Sequence, residues 1–184
     1  MDTGGQLVTI AAVLLGALTT YLTNHFTERS RLRHERAARW DERKLAAYEG
    51  YIDTVRACIF LAVHLYEVRE GIRQSDQDEG QILTEMSEAG RLRGRAFERI
   101  MLLAGDHVIE AAHELNATAQ KVDWQANGKL PGTLEEWRDQ NRAVFNAINA
   151  FHDAARQDLG VSGRVTGEQH PERDLLLPPS QRST

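Results

Sequence analysis

The first 130 residues contain no proline, and apolar side chains recur through most of them every three or four positions. Proline is the residue that helix interiors exclude, and a three-four rhythm is that of one helix face. No stretch alternates with period two, and β-branched residues are sparse, so no sheet is expected. The expected class is all-α, with four amphipathic helices joined by short loops into an antiparallel bundle over residues 45–160.

The rhythm assigns each helix a buried face. In the first, Leu45, Tyr48, Ile52, Val55, Ile59, Ala62 and Tyr66 form a seam sustained over three heptads. From Ala57 to Val68 the other faces turn apolar too, as in a helix covered on several sides, and Gly71 should end it. The second helix is expected from Gln81 to Ala104, with Leu83, Met86, Gly90, Phe97, Ile100 and Ala104 inward and Arg93 filling the position between. Gly105-Asp106 then supplies a stop and an N-cap, although one kinked continuous helix would show nearly the same pattern. Val108, Ala112, Leu115, Ala119 and Val122 make the third stripe, which Asn127-Gly128 ends. Thr133-Leu134-Glu135-Glu136 is a capping box. The fourth helix should bury Leu134, Trp137, Val144, Phe145, Ile148, Phe151 and Ala155 and stop at Gly160.

Ahead of the bundle, residues 3–27 carry no charge with His25 neutral. Within them, residues 7–26 make about 30 Å of helix, the thickness of a hydrocarbon core. Threonines dilute the stretch, but their hydroxyls can bond back to helix carbonyls. A cleaved signal peptide would want a positive n-region, and the first 28 residues contain no Lys or Arg. The competing reading is a buried helix of a soluble protein. The basic cluster lies after the stretch, so a single-pass membrane helix would leave the N-terminus outside and the bundle cytoplasmic. Ala12, Gly16 and Thr20 place small residues on one face, a route to homo-oligomers in lipid.

Residues 28–44 carry seven basic and four acidic side chains and no Gly or Pro. Pairs such as Arg31–Glu35 and Glu35–Arg39 sit at i, i+4, so this stalk is expected to continue as a solvated helix. Arg29, Arg31, Arg33 and Arg36 are candidates for lipid-headgroup contact, or serve only as a topology signal. Beyond residue 160 the rhythm is lost and prolines gather. Residues 161–184 are expected to be a disordered tail, whose one apolar run, Leu175-Leu176-Leu177-Pro178-Pro179, is either a docking peptide or, the commoner case in tails, incidental composition.

The net charge of -5 argues against a nucleic-acid partner. The single cysteine, Cys58, lies next to the apolar seam with no basic neighbour and reads as a core residue. Glu110 and His113 form a Glu-x-x-His motif, the spacing that aims both side chains at one metal in a bundle. No second such motif exists; His64 and Glu67 are in reverse order, with His64 on the outer face of its heptad. The competing reading places Glu110 and His113 on a solvated face. No phosphate loop, zinc spacing or nucleophile elbow occurs, so neither a catalytic residue nor a cofactor is expected.

Three segments carry a resemblance: Arg39-Trp40-Asp41-Glu42-Arg43-Lys44-Leu45-Ala46-Ala47-Tyr48, Leu103-Ala104-Gly105-Asp106-His107-Val108-Ile109-Glu110-Ala111-Ala112, and Phe151-His152-Asp153-Ala154-Ala155-Arg156-Gln157-Asp158-Leu159-Gly160. The chain resembles a group of uncharacterised actinobacterial membrane-anchored helical-bundle proteins. The resemblance implies a fold and a break at Gly105-Asp106, and no activity. The function expected is that of a membrane-tethered interaction or scaffold module for a protein partner, with a metal-binding or enzymatic bundle as the alternative.

Overall fold

The computed structural model describes the backbone of residues 3–163 and most side chains from Ala38 onward. Four helices follow in order: α1 (Thr3–Arg69), α2 (Glu79–Leu103), α3 (Asp106–Ala126) and α4 (Leu134–Asp158). No strand occurs among the described residues. The chain divides into two compact units, Met1–Glu42 and Arg43–Thr184.

In the second unit, contacts fix an up-down-up-down bundle. Tyr48 meets Phe151 edge-on and Tyr66 stacks on Trp137 at 4.0 Å between ring centroids, so α1 and α4 run antiparallel. Arg93 reaches Gln120 and Asp123 while Phe97 touches His113, which makes α2 and α3 antiparallel as well. Tyr51 is the hub. Its ring packs on Phe97 of α2 and Phe151 of α4, and its hydroxyl donates to the Ala112 carbonyl of α3 at 3.0 Å.

The helix ends follow from local sequence. Asp78 and Gln81 satisfy each other's backbone N–H groups in a capping box at the start of α2. Thr133 and Glu136 do the same for α4, as the sequence leads one to expect. Helices α1 and α4 end in the same turn, with left-handed Gly71 and Gly160 one residue past the cap. Only glycine takes that conformation without strain, and it lets the next N–H return to the last turn, as Val161 N–H does to the Arg156 carbonyl at 2.8 Å. Between α2 and α3 there is a true break: Ala104 caps one helix and Gly105 the next. The N-cap is thus Gly105, not Asp106, which sits inside the first turn.

The expected buried faces need five corrections. Leu45 is 49% exposed, and Tyr51, at 0%, takes the centre of the α1 face. Phe60 is 62% exposed, so α1 is not covered all round. His64 is half-buried rather than outermost, its Nε2 3.1 Å from the Ser75 hydroxyl. Leu134, the first residue of α4, is exposed, and burial on this helix begins at Trp137. On α2 the core positions are Ile82, Ala89, Arg93 and Ile100, with Leu83, Met86 and Phe97 only partly covered.

No helix among the described residues is long and apolar enough to cross a membrane. The transmembrane helix expected from the sequence therefore has no support in the structure; the side chains of residues 7–15, on which it rests, lie outside the described residues. So do the side chains of Ala12, Arg29, Arg33 and Arg36, and the tail from residue 164.

Candidate functional site

Two features of the bundle carry chemistry beyond packing, a groove on one side and a buried charge cluster on the other. The groove runs between α1 and α4. Leu45, Tyr48, Ile52 and, one residue further, Asp53 and Arg56 supply one wall from successive turns of α1. Phe151, His152, Ala155, Arg156 and Leu159 supply the other from α4. The small side chain of Ala155 leaves the space, about 440 Å³ and open to solvent along one side. That volume lies within the roughly 300–1,000 Å³ of small-ligand pockets. Its floor is apolar, and its rim carries Glu49, Asp53, Arg56, His152 and Arg156.

Two polar groups give the groove its character. Burial and the nearby Arg56 charge hold the His152 imidazole below its ordinary range, against the pull of Asp153, so it is neutral at neutral pH. The Arg156 Nη2 donates to the Ser162 carbonyl at 3.3 Å. Its Nε has no solvent contact and no acceptor among the described residues, an unmet donor of the kind that folded proteins rarely leave.

At one end of the groove, Asp158 gathers Lys44 Nζ at 2.8 Å and the Tyr48 hydroxyl at 2.5 Å on a single oxygen. Burial alone would raise the Asp158 carboxyl. The hydrogen bonds from Lys44 and Tyr48, the Lys44 charge and the Gly105 N–H together hold it below its ordinary range. Lys44, read from the sequence as the last residue of the stalk, is by this contact part of the bundle.

The buried cluster lies between α2 and α3. Arg93, only 7% exposed, donates to Asp123 at 3.1 Å and to Gln120 at 3.0 Å. Burial raises the Asp123 carboxyl even against the charge and hydrogen bond of Arg93. Cys58 faces the same field. Burial pushes its thiol up to about 11, with Arg93 opposing, which keeps it protonated and a poor nucleophile.

Glu110 and His113 are both exposed on α3, and the His113 ring sits edge-on to Phe97 with centroids 4.9 Å apart. Among the described residues no three His, Cys, Asp or Glu side chains are grouped to hold a metal. In the first unit, the Thr20 hydroxyl donates to the Gly16 carbonyl at 2.9 Å, the back-bonding that keeps threonine compatible with an apolar helix. Arg31 is exposed. The sequence reading missed the groove altogether: Leu45 was assigned inward, and His152 and Arg156 had no role. The only signal was the charge of Asp53 and Arg56, each one residue from the apolar seam.

No protein-family model, no curated protein and no solved structure matches the chain.

Proposed function

We propose that this protein is a membrane-tethered interaction module that acts by contact, holding a protein partner in the α1–α4 groove at the inner face of the membrane. The observation that carries the reading is the groove, an apolar floor with charges of both signs along its rim. Such a surface suits a peptide or helix with one apolar edge. The tether is supported by the charge-free residues 3–27, followed by seven basic side chains in residues 28–44. Arg29, Arg31, Arg33 and Arg36 would meet anionic headgroups, and Ala12, Gly16 and Thr20 would give the helix a face for a second copy. Confinement to the membrane raises the local concentration of tethered partners, so a weak interface suffices.

The test places a photo-crosslinking residue at Asp53 of the full chain in membranes and identifies what is captured by mass. The Leu45→Asp substitution, on the groove lip, should lower capture at least tenfold. Leu92→Asp, exposed on α2, should leave it unchanged. Capture insensitive to Leu45→Asp would sink the groove reading. Deleting residues 1–27 should move the protein out of the membrane fraction, and a Thr3→Cys probe in a Cys58→Ala background should label from outside intact cells.

A further inference from the structure

The end of α4 returns the chain toward the groove. After Asp158, the turn at Gly160 folds Val161 back onto Arg156, and Arg156 also holds the Ser162 carbonyl. Arg156 and Leu159 line the groove, so the chain leaves the bundle at the groove's own end. Twelve residues, 163–174, lead from there to Leu175-Leu176-Leu177-Pro178-Pro179, the one apolar run of the tail, which follows Glu172, Arg173 and Asp174.

We propose that the groove's resident occupant is this segment, Asp174 to Pro179 of the same chain, which competes with the partner for the site. The proposal rests on the reading of the groove as a binding surface. Reach, charge and local stiffness support it. Twelve residues span about 19 Å as a coil, whereas the groove runs about 12 Å along α4 from Leu159 to Phe151 at 1.5 Å per residue. The segment can therefore lie on the floor without strain. In this arrangement Asp174 would face the guanidinium charge of Arg156 on the groove rim, and the leucines would meet Leu45, Ile52 and Leu159 of its lining. Pro178 disfavours helical backbone at Leu177, the residue before it, which lowers the entropy to be lost on docking there. A short linker provides an effective concentration of the order of millimolar, so a peptide with only millimolar affinity occupies the groove about half the time.

The experiment uses the full chain in a Cys58→Ala background, with its helicity verified by dichroism. Disulfide formation is timed for the pair Leu176→Cys and Asp53→Cys, and for the pair Leu176→Cys and Leu92→Cys. The groove pair should close at least tenfold faster, at a rate independent of protein concentration. Adding Leu175→Asp and Leu177→Asp should erase that preference. Equal rates for the two pairs would overturn the proposal. So would a disulfide-linked dimer formed in proportion to concentration, since the occupant would then be a second copy. If the tail does not close on Asp53 while capture still depends on Leu45, the groove binds a partner without tail control. If the tail closes and capture ignores Leu45, the tail occupies the groove and the partner reading falls.

Discussion

Where α1 meets α4, the bundle is closed by rings: Tyr48 and Tyr51 against Phe151, and Tyr66 stacked on Trp137. Where α2 meets α3, the middle of the interface is a guanidinium held by a carboxylate and an amide. Ring packing stabilises through area removed from water, about 25 cal/mol per Å², and tolerates an unfilled edge such as the groove. The Arg93–Asp123 pair adds little net stability over an apolar pair of similar size, but its geometry admits only one register of α2 on α3. One side of the molecule is closed by rings beside an open groove; the other holds a buried ion pair at its centre.

That contrast can be broken in four ways. The largest effect should come from Phe151→Ala, which removes a fully buried ring and two aromatic contacts. A loss of about 4–5 kcal/mol is expected in urea unfolding. A loss under about 2 kcal/mol would mean that α4 closes over the cavity. Next, Arg93→Met should cost about 3 kcal/mol by leaving Asp123 buried and unpaired. Adding Asp123→Leu should recover most of it, and failure of that rescue would show that the pair contributes net stability and not only register.

The third effect is a pH dependence. The folded-state carboxyl of Asp158 is held below its ordinary range, so its contribution is present above the unfolded value of about 3.9 and is lost as pH falls through the lower folded value. Thermal midpoints of the wild type and Asp158→Asn should therefore differ at pH 5 and converge in stronger acid. A gap that stays constant with pH would remove Asp158 from the linkage. Smallest of all, Phe60→Ser should change stability by no more than about 0.5 kcal/mol, as surface substitutions do. A larger loss would mean that the outer face of α1 is covered in solution.

The sequence made the helices legible, and the stripe of α3 most of all. Val108, Ala112, Leu115, Ala119 and Val122 are each buried, because α3 has one narrow apolar stripe and no competing frame. On α1 two frames overlap. Tyr51, Cys58 and Leu65 are as apolar as Ile52, Ile59 and Tyr66, and all six are buried, since a bundle helix covered by neighbours on two sides has a broad inward face. A strict heptad picks one frame and discards the other, which is how Tyr51 was lost and Leu45 was placed inside. Arg93 falls on the inward rhythm of α2 and is buried, but its pairing was unreadable for a different reason. Its partner Asp123 lies thirty residues away, and nothing local marks a charge as paired. The groove depends on which turn of α4 faces which turn of α1, and periodicity gives no such register.

The contact between Lys44 and Asp158 joins residues 114 positions apart, nearly the whole length of the bundle. On a ribosome adding about 5–20 residues per second, the strand of chain between them takes roughly 6–23 s to make. Over the 71 positions from Tyr66 to Trp137, roughly 4–14 s at that rate, Tyr48, Tyr51 and Tyr66 have all been synthesised and their cover on α4 has not. The newborn chain thus presents a row of uncovered rings before α4 exists, a surface that a chaperone can reach during synthesis.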